Sequence, residues 1–157
     1  MKKVSPLFIL LVLLGVCVPA LASVPYTGDE YVMLNAQDLK WNPVQSMAPG
    51  AEIAVIEGNL SQAGPFTIRL KLPANYELAP HTHPADERVT VLSGRLHFAQ
   101  ASKFERGKTT ALNPGDMALI PQGEPMFGYT EEETIIQLHG TGPWGIHYKN
   151  PKDDPRK

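Results

Sequence analysis

Between Pro65 and Pro73 the chain reads F-T-I-R-L-K-L. Phe66, Ile68, Leu70 and Leu72 alternate with Thr67, Arg69 and Lys71. Successive side chains of a strand point to opposite faces, so this period of two predicts a half-buried strand. The prolines at either end remove ladder donors and bracket it. The rest of the chain keeps the same short measure. Glu52–Glu57 is a β-rich run closed by Gly58-Asn59. Glu87–Leu92 ends at Ser93-Gly94, and Arg95–Ala99 reads as the return strand of a hairpin. Asn113-Pro114-Gly115-Asp116 is a turn, followed by the apolar run Met117–Ile120; Pro121-Gln122-Gly123 is another, and Thr134–His139 is a further strand. No stretch offers a convincing amphipathic helix. With 15 prolines and 13 glycines in 157 residues, many short strands and many turns indicate an all-β sandwich or small barrel.

The start of the chain is read apart from this domain. Lys2 and Lys3 precede an apolar run from Leu7 to Val18, and Ala20-Leu21-Ala22 supplies small residues where a signal peptidase reads. Residues 1–22 are therefore expected to be a secretory signal peptide, cleaved after Ala22. The run is short for a bilayer span, which takes about 20 residues. Residues 23–50 are then an N-terminal arm, with a short strand expected around Tyr31–Leu34. Residues 51–149 are the β-domain, and 150–157 a polar tail expected to hang loose. The expected location is periplasmic or secreted, with no membrane insertion after cleavage.

Cys17 is the only cysteine and lies in the leader. A cleaved chain has no disulfide and no thiolate, so any metal must be held by nitrogen, oxygen or thioether donors. The formal charge of −2 becomes about −4 once Lys2 and Lys3 are gone, leaving 12 basic against 16 acidic residues. No basic stripe is present, which excludes nucleic acid and anionic membrane surfaces as partners.

Chemistry concentrates in Pro80-His81-Thr82-His83-Pro84-Ala85-Asp86-Glu87. Two histidines two apart on an extended chain project to one side. Glu87 lies an even four positions further on. Two imidazoles and a carboxylate suit iron, manganese, zinc, nickel or copper. Asp86 and Glu87 are neighbours that face opposite ways, so a paired-carboxylate hydrolase is a poor reading.

The pattern H-x-H-x3-E-x6-G, carried by His81, His83, Glu87 and Gly94, resembles the first motif of the cupin superfamily. Asn75 stands where that motif begins with glycine, and Asn tolerates left-handed backbone angles. The second cupin motif is similar to the stretch holding Gly115, Pro121 and Gly123. The ending Gln137-Leu138-His139-Gly140-Thr141-Gly142-Pro143-Trp144-Gly145 resembles a branch of exported bacterial cupins. The resemblance implies a small jelly-roll, a double-stranded β-helix barrel. It also implies a divalent transition metal on His81, His83 and Glu87, with a fourth histidine from the second motif. That histidine falls at position 126, where this chain has Met126, and the motif's terminal asparagine is replaced by Thr130.

A thioether suits copper better than Fe(II) or Mn(II). Three outcomes are open at Met126: a three-donor centre with free positions, a donor from elsewhere, or weak metal affinity with the site kept for a small ligand. His139 is the candidate substitute, as fourth ligand or acid–base group. It shares a face with Ile135 and Gln137, and resembling cupins line the barrel with this strand, so Gln137 is a candidate for ligand or cofactor contact. His97 and His147 are outlying candidates. Trp144, Phe127 and Tyr129 are candidate pocket walls.

Two classes of function follow. One is a metal-dependent oxygenase or isomerase acting on a small organic molecule, as the resemblance implies. The other is a non-catalytic periplasmic module that binds a small ligand or metal, or senses it. A homodimer paired through the arm and a monomer with a packed arm are both open.

Overall fold

The computed structural model describes residues 25, 26, 28 and 31–157. The expected signal peptide at 1–22 lies outside the described residues. The strands are β1 (Asn42–Pro43), β2 (Glu52–Glu57), β3 (Gly64–Leu72), β4 (Glu77–Thr82), β5 (Glu87–Ser93), β6 (Leu96–Ala99), β7 (Thr110–Leu112), β8 (Met117–Ile120), β9 (Met126–Thr130), β10 (Thr134–Gly142) and β11 (His147–Tyr148). Helical structure among the described residues is confined to three 3-10 turns, at Ala36–Asp38, Arg106–Lys108 and Pro151–Asp153. None is long and apolar enough to cross a membrane.

The strands form two antiparallel sheets. One has the order β1-β2-β3-β10-β5-β8 and the other β11-β4-β9-β6-β7. Their inner faces enclose one core, a jelly-roll arrangement. The alternation in β3 works as its sequence predicts. Phe66, Ile68, Leu70 and Leu72 are buried, while Thr67, Arg69 and Lys71 lie on the outer face. Val89 and Val91 of β5, Leu96 of β6, and Ile136 and Leu138 of β10 meet them.

The turn at Ser93-Gly94 does not make the expected hairpin. β5 pairs with β10 and β8, whereas β6 pairs with β7 and β9. The turn carries the chain from one sheet to the other. Gly94 has φ 71°, and a Cβ there would sit 2.3 Å from the Glu133 carbonyl oxygen. Only glycine fits such a corner. A hairpin turn and a sheet-switching corner share this local signature, so spacing alone does not separate them. Asn75 adopts φ 58°, the left-handed angle that the missing glycine calls for.

Two further expectations change. Residues 31–34 form no strand. Tyr31 is 87% exposed and Met33 80%; strand propensity needs a paired edge, and these residues have none. The arm is instead fixed at its ends, by a parallel bridge from Tyr26 to Glu57 and by β1 on β2. The tail is not loose. Arg156 donates to the Ile146 carbonyl at 3.1 Å and pairs with Asp154 at 2.7 Å. Lys149 N–H donates to Pro80 O at 2.9 Å. Residues 144–157 thus form a strap across the β4 end of the barrel.

Candidate functional site

His81 belongs to β4, in the five-stranded sheet, and Glu87 opens β5, in the six-stranded sheet. His83 sits on the crossing between them. The stretch from His81 to Glu87 is therefore the chain's passage from layer to layer, which brings donors from both layers to one interior. All three side chains are buried: His81 6% exposed, His83 5% and Glu87 2%. They line one cavity of about 40 Å³. Its other walls are apolar and include Leu70, Val89, Phe98 and Ile136.

Backbone carbonyls set the two imidazoles. His81 Nδ1 lies 2.7 Å from Ala79 O, and His83 Nδ1 lies 2.6 Å from Gly145 O. A carbonyl can only accept, so each ring donates from Nδ1. A neutral ring so held keeps its lone pair on Nε2, the form a metal ligand needs. Burial favours that form. It lowers the pKa of His81, and it brings His83 down to about 3, with help from the neighbouring His81. The rings meet edge to face, 4.9 Å between centroids.

Glu87 is pushed up to about 8, chiefly by burial. The Trp144 indole N–H opposes that rise but is not aligned as a hydrogen bond. Both it and Glu87 Oε1 are buried without a partner. His83 Nε2 stands 3.5 Å from Glu87 Oε2. Near neutral pH neither group of the metal-free protein carries a charge, so this contact is not an ion pair. A buried carboxyl oxygen with no partner is costly and marks a place where a cation or donor would be stabilising.

These residues fit a transition metal in donor type, tautomer and shared cavity. Among the described residues, no three His, Cys, Asp or Glu side chains stand in a ready-made metal-holding arrangement. A cation here needs a small side-chain adjustment or a donor of another kind.

The strap closes the cavity. Trp144 stacks on His83, with centroids 4.7 Å apart and planes 16° apart, and packs against Phe66 at 5.7 Å. β11 pairs with β4, setting Tyr148 opposite His81. Tyr148 in turn donates to Ser46 O at 2.8 Å. Trp144 was legible as a candidate wall. The carbonyls of Ala79 and Gly145 leave no mark in a sequence, and Met47, from the arm, lines the cavity with no local signal at all.

His139 and Gln137 do not join this site. In β10 the inner face is Thr134, Ile136 and Leu138; Ile136 and Leu138 line the cavity. Gln137 and His139 therefore point outward, on the far side of the sheet. Gln137 accepts from Arg69 Nε at 3.1 Å, and His139 stands in register with Thr67 and Arg88. The sequence assignment took the wrong face of an alternating strand. Met126 does reach the cavity: it is 1% exposed and opposite His81 across the β4–β9 ladder. His97 lies on the outer face, stacked on Tyr129 at 4.4 Å. Phe127 packs on Phe104 at 5.0 Å and does not line this cavity. His147 is exposed on β11.

No curated protein sequence matches the chain. Several solved structures share its fold. The polyketide cyclase RemF from Streptomyces resistomycificus is 18% identical, with a TM-score of 0.66 over 81% of this chain and 91% of that one. Rhodobacter sphaeroides SigE in complex with the anti-sigma ChrR gives 17% identity and a TM-score of 0.51, over 68% and 51%. A salicylate 1,2-dioxygenase mutant from Pseudoaminobacter salicylatoxidans, in complex with gentisate, gives 18% and 0.53, over 65% and 30%. These likenesses show a shared fold. Residues 29–143 match the model of the ChrR cupin-like domain, a stretch that runs from the arm through the whole barrel to the foot of the strap. On that match the chain belongs to the ChrR cupin-like family.

Proposed function

We propose that this chain is an exported cupin that binds a transition metal through His81, His83 and Glu87 and serves as a binding or sensing module in the periplasm or outside the cell. One observation carries the reading. Two imidazoles, each fixed through Nδ1 by a backbone carbonyl, share a small cavity with a carboxyl whose Oε1 has no partner. A bound ion would supply a Lewis-acid or redox centre. The chain's own part is to hold the ring tautomers, exclude water and surrender the Glu87 proton on loading.

The same geometry favours binding over catalysis. A cavity of about 40 Å³ admits a few water-sized groups, whereas sites for organic ligands run from roughly 300 Å³ upward. A ring such as the gentisate in the dioxygenase neighbour does not fit without moving the strap. The acid–base candidate His139 faces outward. Among the neighbours, the anti-sigma ChrR offers a precedent for a cupin that works by binding a protein. Its sigma partner is not carried over, because the leader at 1–22 would take this chain away from the transcription machinery.

The test is metal analysis of protein recovered from its native compartment, for wild type, His81→Ala and Glu87→Gln. Metal in the wild type and its loss in both variants is expected. Equal occupancy in all three ends the proposal.

A further inference from the structure

The cavity wall holds two Lewis bases that the reading above leaves unused. Met47, from the loop after β1, is 6% exposed, and Met126, on β9, is 1% exposed. Both line the cavity with His81 and His83. Met47 also borders the adjoining cleft beside His81. Buried methionines are often plain filling. These two differ in sharing a wall with a pair of imidazole lone pairs. Apart from Glu87, no other side chain on that wall has a lone pair to give.

We propose that the ion this cavity selects is cuprous copper, held by His81 and His83 through Nε2 and by the thioethers of Met126 and Met47, with the Glu87 carboxylate beside it balancing its charge. The inference rests on the metal-binding reading and names its ion. Three observations support it. First, no three His, Cys, Asp or Glu side chains among the described residues form a ready site, and a donor of another type on the same wall closes the set. Thioether sulfur is that type here. Second, thioether is a soft donor that suits Cu(I) and is poor for Mn(II) or Fe(II), while imidazole, a borderline donor, accepts copper as well. Third, the space is small and its walls apolar. A hard divalent ion keeps oxygen ligands and waters in a full octahedron. About 40 Å³ leaves room for roughly two or three waters. A soft monovalent ion of low coordination needs none.

Binding is the whole of the claim; no electron transfer is involved. The copper enters and leaves as Cu(I).

The experiment is anaerobic Cu(I) transfer from the chromophoric chelator bicinchoninate, set beside Zn(II) and Mn(II) titrations of the same proteins. Every sample is the full chain carrying Cys17→Ser, so that no thiol competes. Met126→Leu and Met47→Leu keep volume and hydrophobicity, so the barrel keeps its packing. Wild type is expected to take one Cu(I) per chain, with sulfur seen in the copper X-ray absorption spectrum. The double Met→Leu variant is expected to lose roughly tenfold or more in Cu(I) affinity while its Zn(II) affinity stays within a factor of ~2. Met126→His is expected to shift preference toward Zn(II). If the double variant holds Cu(I) as tightly as wild type while His81→Ala loses it, the thioethers are not donors. The inference then fails and the imidazole site stands. If wild type binds Zn(II) or Mn(II) in preference to Cu(I), the inference fails in the same way. If wild type binds none of the three ions, the metal-binding reading falls with it.

Discussion

The Trp144 indole lies flat on the His83 imidazole, 4.7 Å away and 16° from parallel, and the carbonyl of the next residue, Gly145, accepts a hydrogen bond from His83 Nδ1. One short piece of strap thus seals, orients and desolvates a single ring. Replacing Trp144 with Ala removes the seal. The expected cost is about 3 kcal/mol of unfolding free energy, read from denaturant midpoints. Water admitted beside His83 should also raise its pKa from about 3 toward 6.5, read by NMR titration. A large stability loss with no change in the His83 titration would show that the strap does not keep the ring dry.

The metal-free protein should be most stable near pH 6.5. His81 and His83 titrate lower in the folded chain than the usual 6.5. Below pH 6.5 the unfolded chain takes up protons that the folded chain refuses, so stability falls as pH falls. Glu87 runs the other way, from 4.5 when unfolded to about 8 when folded. There the folded chain holds the extra proton, so stability falls as pH rises from 4.5 to about 8. The two histidines outweigh one carboxyl below 6.5; above it only Glu87 acts. Urea midpoints across pH, with chelator present, check this. Glu87→Gln should remove the alkaline decline, and a decline that survives the substitution would assign it elsewhere.

His139 offers a clean contrast with His81. It stands on the outer face of β10, so His139→Ala should leave bound metal unchanged, whereas His81→Ala abolishes it. Parallel elemental analysis of the two variants decides the point. Loss of metal in His139→Ala would mean that β10 presents its other face to the cavity.

At the sheet-switching corner, Gly94→Ala forces a Cβ to within 2.3 Å of Glu133 O at φ 71°. The expected loss is upwards of about 2 kcal/mol. Asn75→Gly, at φ 58°, should be neutral to slightly stabilising by the same measurement. A tolerated Gly94→Ala would mean that the corner is built differently.

Much of the architecture was readable because strand alternation is local. Phe66 to Leu72 announce their buried face unaided, and the even spacing of His81, His83 and Glu87 places them on one side of an extended chain. The errors came where local signals are shared or where distance decides. Ser93-Gly94 reads alike as hairpin or sheet corner, and only the pairing of β5 and β6 with different partners separates them. In β10 the apolar Ile136 and Leu138, set between Gln137 and His139, already marked the inner face. Gln137 and His139 share the other face, which is the outer one. Met47 could not be found from sequence, since it lies in a loop well before His81 in the chain and meets the cavity only through the closed barrel. The strap's hold on His83 depends on a backbone carbonyl, which every residue carries and no motif records.

The passage from His81 to Glu87 joins β4 to β5, and these strands belong to different sheets. An ion gripped by both residues is then a rivet through the sandwich rather than an ornament within one layer. Strands on opposite sides would open together or not at all, so their amide protons would report one common opening free energy. Occupancy would be legible on the outer surface of the barrel, far from any atom that touches the ion.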